Sequence, residues 1–147
     1  MKECVKKEIE KIIKDWNLDC SVEEFRDNIK SLGISFYEGL SEDFIREFQD
    51  NVNWPCISEY QDLSEDFIRE FKDKVYWGGI SIDQYLSLGF VSEFQNKLDE
   101  IDWEYIGRYQ NITKKDIEEY EKQKLEEKTE EKLEKTKVKN KLQLIRF

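Results

Sequence analysis

A chain of 147 residues can build one compact domain or a short solenoid, but not two cores of ordinary size. Charged residues make up 39% of it, hydrophobic residues 38% and aromatics 14%, so the apolar material for a core lies largely in rings, and the formal net charge is −10. Histidine is absent, which removes Ser-His and Cys-His nucleophiles and most zinc or iron sites.

Other chemistries are also missing. Gly33 and Gly78-Gly79 are not followed by Lys-Ser/Thr, so there is no P-loop; no calcium-loop string occurs, and no carboxylate pair stands apart from the 34 acids as catalytic. The expectation is a non-enzyme with no cofactor and no metal site. Cys4, Cys20 and Cys56 are odd in number and form no C-x-x-C pair, which points to a reducing compartment. The start MKECVKKEIEKII breaks its apolar residues with charges, and no stretch approaches the ~18 apolar residues of a membrane span. A soluble, cytoplasmic protein is expected, in the host-cell cytosol if the source is viral.

In chain order, Val5, Ile9, Ile12, Ile13 and Trp16 fall at helical spacing and predict a capping helix over 1–16. Four tandem repeats follow over 17–111. The clearest are 40–62, LSEDFIREFQDNVNWPCISEYQD, and 63–85, LSEDFIREFKDKVYWGGISIDQY, identical at 15 of 23 positions. A worn copy over 17–39 keeps Phe25, Asp27, Ile29, Ile34, Ser35 and Tyr37 in the same register. The copy over 86–111 reaches Trp103 three residues late, which marks a small insertion.

Within a unit, Phe44, Ile45, Phe48 and Val52 share one face of a first helix, with Ser41 as N-cap and Glu42 and Asp43 in its first turn. Ser21-x-x-Glu24 has capping-box spacing. After Asn53-Trp54-Pro55 the pattern resets, and Ile57 with Tyr60 predicts a second helix of about two turns. Such a hairpin cannot bury its apolar face alone, so units must stack.

Residues 112–138 read as a degenerate repeat running into a long charged helix, with Glu118–Lys122 and Glu131–Lys135 at i, i+4. Ile117, Tyr120, Leu125 and Leu133 are too sparse for a sustained heptad seam. Residues 139–147 form a tail whose apolar end, Leu142 to Phe147, could fold back, bind a partner or pair with a second copy. The fold expectation is all-α: a short α-solenoid of helical-hairpin repeats with an N-terminal capping helix and a long charged C-terminal helix.

The LSEDFIREF…W…IS pattern over residues 40–110 resembles short tandem repeats of uncharacterised proteins of giant DNA viruses and of phages from AT-rich bacteria. The resemblance implies a viral or mobile-element origin and carries no activity. The copy from Leu86 departs from the pattern at Leu88 and Gly89, where Glu and Asp stand in the others.

Charge is unevenly spread. Residues 17–110 hold 8 basic and 21 acidic side chains, whereas 111–147 hold 11 and 9. An acidic body repels nucleic acid, whose binding rests on Lys and Arg neutralising phosphates, so no direct nucleic-acid ligand and no membrane are expected. Asp27, Asp50 and Asp73 recur at 23-residue spacing, with Asp43 and Asp66 beside them. In stacked units these would form rows roughly 8 to 10 Å apart, offered to a basic partner or simply solvating a helix face. Trp54, Trp77 and Trp103 read mainly as inter-repeat packing, with Tyr76 beside Trp77 as an aromatic pair that could be exposed. The candidate partner-binding residues are therefore Asp27, Asp43, Asp50, Asp66, Asp73, Tyr76 and Trp77.

The functional expectation is a non-catalytic inhibitor or adaptor. Its acidic face would occupy the basic, nucleic-acid-binding surface of another protein, such as an effector nuclease, in the manner of a viral or phage counter-defence (anti-CRISPR-like) factor. The alternative is a structural protein that self-assembles as a homo-oligomer.

Overall fold

Most helix starts in this protein are set by oxygen-bearing side chains placed just before an apolar run; the helices that begin at Glu3 and Trp77 have no side-chain cap. A computed structural model describes residues 1–144, and the side chains of 1–142; the last residues of the tail expected over 139–147 lie outside it. The chain is all-helical with a long C-terminal helix, and no strand occurs among the described residues. It falls into two compact units, Met1–Tyr85 and the residues from Leu86 onward.

The first unit contains α1 (Glu3–Asp15), α2 (Val22–Asn28), α3 (Glu42–Glu47), α4 (Trp54–Tyr60), α5 (Glu65–Glu70) and α6 (Trp77–Asp83). Ser21 and Glu24 close the expected capping box on α2, and Ser41 and Ser64 accept the N–H groups of Phe44 and Phe67 to start α3 and α5. The Glu24 carboxyl is held below the usual range by the bonds it accepts from the Ser21 backbone and hydroxyl. Val5, Ile9 and Ile12 of α1, with Phe25, Phe44, Ile45, Ile57, Phe67, Ile68 and Ile80, are fully buried. Each such side chain contributes about 1.5–3 kcal/mol relative to exposure.

Local details depart from the sequence expectation. The first helix of each full repeat is only six residues long, ending at Glu47 and Glu70; Phe48 and Phe71 sit at the C-caps yet stay buried, while Val52 lies in the turn beyond. The turn holds because tryptophan takes a carbonyl that the helix releases: Trp54 Nε1 donates to Gln49 O (3.0 Å), and Trp77 Nε1 to Lys72 O (3.2 Å). Tyr60 is exposed rather than paired with Ile57 in the core. Trp16 falls beyond α1, at the edge of the apolar stripe, and meets the Tyr37 ring edge-on at 5.6 Å. The worn copy supplies α2 and two 3₁₀ turns, Ile29–Ser31 and Ile34–Phe36, joined through left-handed Gly33.

Stacking in this unit rests on rings and on a buried polar ladder. Trp54 packs on Phe67 and Phe71 of the next copy, at 6.3 and 5.0 Å between centroids. Gln61 is buried; its Oε1 accepts the Leu40 N–H (2.8 Å) while Nε2 donates to the carbonyls of Tyr37 (2.8 Å) and Ser35 (3.3 Å). Gln84, 23 residues on, accepts from Leu63 N–H (2.9 Å) and donates to the carbonyls of Gln61 (2.8 Å) and Ser58 (3.1 Å). The hydroxyls of Ser35 and Ser58 accept the N–H groups of Asn53 and Tyr76. The two full repeats of this unit are thereby each stitched to the copy before it through otherwise orphaned backbone groups. Ser81, next in the series, is fully buried with its hydroxyl unpartnered.

The second unit contains α7 (Leu88–Phe94), α8 (Glu100–Tyr105) and α9 (Lys114–Leu144). Ser87 caps α7, and Asp99 with Asp102 forms a capping box on α8. The inserted residues extend the helix ahead of Trp103, and α8 runs on into a π turn, Ile106–Gln110, closed by left-handed Asn111. The glutamine clamp survives the insertion: Gln110 Oε1 accepts from Leu86 N–H across 24 residues, where Gln61 and Gln84 span 21. Thr113 and Asp116 cap α9 reciprocally, which holds the Asp116 carboxyl low.

The first turns of α9 pack on α7. Ile117 is buried, and Ser92 and Gln95 both donate to Glu121. A Cβ at Gly89 would lie 2.9 Å from the Tyr120 hydroxyl. The departure of this copy from Asp to Gly at residue 89 thus makes room for the long helix.

Candidate functional site

The residues singled out from the sequence lie on the first unit, and they are engaged in different ways. Asp43, in the first turn of α3, is 34% exposed; it accepts from Lys2 Nζ at 2.7 Å and faces Arg46 at 3.5 Å, and the Lys2 bond holds its carboxyl below the usual range. Asp27 pairs with Arg26 at 2.9 Å. Asp50, 86% exposed, receives Lys74 from the next copy at 3.0 Å, and Asp66, 93% exposed, receives Arg69 at 2.9 Å. Asp73 is exposed on the turn after α5. Arg46 reaches forward to Glu70 at 2.8 Å, the bond that raises its pKa.

Carboxylates also serve the stacking directly. Glu8 accepts from both the backbone and the hydroxyl of Ser41, and Glu42 accepts the Ser64 N–H at 2.7 Å. The acidic rows are therefore partly consumed by the fold. Exposed ion pairs of this kind are screened by water and contribute little, so an incoming partner can exchange them at little cost.

The aromatic pair divides in two. Trp77 is half-buried, its indole N–H held by Lys72 O. Tyr76 is exposed at one edge, but its ring lies over the start of α6, where a Cβ at Gly78 would come within 2.6 Å of it. Tyr76 and Gly78 thus replace the Asn53 side-chain cap and Pro55 of the preceding copy as a matched pair.

A second group of residues carries no sequence motif and was not singled out from the sequence. Tyr85 is 96% exposed, Phe36 is 65% exposed and Tyr60 is 57% exposed, with the last two rings 5.8 Å apart. Tyr85 lines an open groove of about 520 Å³ with Asp62, Asp83 and Glu42, and desolvation there pushes the Asp83 carboxyl up. The signal lay in the mismatches between copies: Tyr60-Gln61-Asp62 answers Asp83-Gln84-Tyr85, the same two residue types in opposite order about the clamp glutamine.

No protein-family model, no curated protein and no solved structure matches this chain. No helix among the described residues is long and apolar enough to cross a membrane.

Proposed function

We propose that the first unit is a non-catalytic protein-binding module, an inhibitor or adaptor whose acidic helical-repeat surface covers a basic, nucleic-acid-binding surface on another protein. A viral or phage counter-defence factor acting on an effector nuclease is the form this takes. The observation that carries the reading is the pairing of excess negative charge with uncovered rings. Residues 1–85 hold 20 acidic against 11 basic side chains, Tyr85 projects beside Asp62 and Asp83, and Phe36 and Tyr60 form a second exposed ring pair. Large exposed rings supply affinity at protein interfaces, while complementary charge supplies association rate and selectivity.

The test starts from the full chain, used to capture its partner from host extract, with the affinity of the purified partner then measured from about 50 to about 500 mM salt. The expected result is a steep loss with salt, competition by duplex DNA, and at least tenfold weaker binding by a folded variant carrying Asp62→Asn, Asp83→Asn, Tyr60→Ser and Tyr85→Ser. Salt-independent binding, or an unaltered affinity in that variant, overturns the reading.

A further inference from the structure

Beyond the turns that pack on α7, α9 is a bare helix: residues 122–142 are exposed without exception, a length of about 32 Å at 1.5 Å per residue. Five of the eight uncharged side chains in this stretch lie on one side of the helix, while Gln123, Val138 and Leu142 face away from it. Leu125, Thr129, Leu133, Thr136 and Asn140 follow one another at steps of 4, 4, 3 and 4, which at about 100° per residue keeps all five within a strip about 80° wide. Leu125 and Leu133 are 67% and 55% exposed. Counted on aliphatic residues alone the strip looks too sparse for a seam, but the structure changes what its threonines present. Thr129 Oγ1 donates to Leu125 O (2.8 Å) and Thr136 Oγ1 to Lys132 O (2.9 Å), so both hydroxyls are satisfied inside the helix. Covering the strip then strands no hydroxyl donor at these two positions.

Charge along the helix identifies the occupant. Residues 116–134 carry nine acids and four lysines, whereas 135–142 carry Lys135, Lys137, Lys139 and Lys141 and no acid. Two copies lying parallel would set lysine clusters side by side, whereas in two copies lying antiparallel each cluster meets the partner's residues 124–130, which hold three glutamates and two lysines.

We propose that α9 is a homodimerisation element, pairing antiparallel with α9 of a second copy of this chain through the Leu125–Asn140 strip, with the two-fold axis passing beside Leu133. The interface is isologous: Leu133 lies near its own symmetry mate, Thr129 faces Thr136, and Leu125 faces Asn140. A polar Asn in such a seam fixes register at some cost in stability. The interface therefore holds the dimer weakly and is sensitive to salt. It is independent of the acidic-face reading, since it uses no residue of the first unit.

The experiment is sedimentation equilibrium of the full chain from about 5 to about 500 μM. The mass is expected to rise from 17.9 kDa toward twice that value and to fall back as salt is raised. Leu133→Glu, at an exposed position, should keep the helical spectrum and the unfolding midpoint while shifting dissociation at least tenfold. Direction is read in a background with Cys4, Cys20 and Cys56 replaced by serine: a Thr129→Cys chain mixed with a Thr136→Cys chain should cross-link to each other and not to themselves. A monomer throughout the range, a dimer indifferent to Leu133→Glu, or Thr129→Cys chains that cross-link to themselves would each overturn the proposal.

Discussion

Replacing Gln61 by Met tests what holds the repeats in register. The side chains are close in volume, so the change isolates the three hydrogen bonds that Gln61 makes to Leu40 N–H and to the carbonyls of Tyr37 and Ser35. Two of the three are short, at 2.8 Å, and all end on backbone groups 21 to 26 residues away. A buried polar group left without its partner costs about 1–3 kcal/mol, so orphaning the two tightly held ones should destabilise the first unit by about 2–5 kcal/mol after the small gain from a more apolar side chain. That is a large fraction of the 5–15 kcal/mol typical of a domain. Urea unfolding followed by tryptophan fluorescence would show the midpoint fall by about 1–3 M at ordinary slopes. Asp62→Asn, on the exposed neighbour, should stay within about 0.5 kcal/mol. Gln61→Glu gives a pH signature. Burial and two facing carbonyls must raise that carboxyl above its unfolded value of about 4, so the variant is most stable in acid and loses stability as pH rises past that value. A loss under about 1 kcal/mol for Gln61→Met would mean that the ladder is incidental and that ring packing alone sets the stack.

The serine series should split by position. Ser58→Ala removes both an acceptor for Tyr76 N–H and a donor to Trp54 O and should cost about 1–3 kcal/mol, while Ser81→Ala, whose hydroxyl has no partner, should be neutral or stabilising by the same denaturation assay. Phe67→Ala should cost about 3–5 kcal/mol, because that ring is fully buried against Trp54 and Phe71. Gly89→Asp, which restores the residue that the other full copies carry, should drive Tyr120 off α7 and raise hydrogen exchange in the first turns of α9, and Tyr120→Ala should remove the steric conflict. The Glu24 carboxyl is depressed in the folded state, so its contribution to α2 is present above the ordinary carboxylate pKa of about 4 and is lost as pH falls through the folded value; carbon-detected titration of that carboxyl should place its midpoint below those of exposed glutamates.

The helical class, the caps and the repeat register were legible because each depends on neighbours within one turn. Ser41 before Glu42-Asp43-Phe44 specifies a helix start wherever it occurs, and Val5, Ile9 and Ile12 specify one apolar face. Helix ends were not legible. Whether α3 continues past Phe48 depends on the carbonyl of Gln49 finding Trp54 Nε1, five residues ahead and on another element. The use of Asp43 and Asp50 was equally hidden, because Lys2 and Lys74 reach them through stacking geometry that periodicity does not encode, whereas the Asp66–Arg69 pair is an i, i+3 contact of one helix. Gln61 and Gln84 were identical between copies in plain view, but a glutamine is a surface residue by default, and only a structure shows three backbone groups converging on it.

The two nearly identical copies also separate structural residues from free ones. Between 40–62 and 63–85 eight positions differ. Three of the differences are answered by a contact: Lys74 bonds to Gln49, Gly78 lies under Tyr76, and Gly79 leaves room for Glu59. Asp62, Asp83 and Tyr85 differ with no such contact, Tyr60 meets the exposed ring of Phe36, and all four are exposed. The reason they project is the clamp itself. Gln61 and Gln84 are the C-caps of α4 and α6 with extended backbone, φ −107 and −95, where successive side chains alternate in direction. Turning the glutamine inward to stitch the stack turns the residues on either side of it outward. The most constrained side chain of the repeat therefore displays the least constrained ones, and a partner reading this surface would meet Tyr and Asp in one order on one copy and in the reverse order on the next.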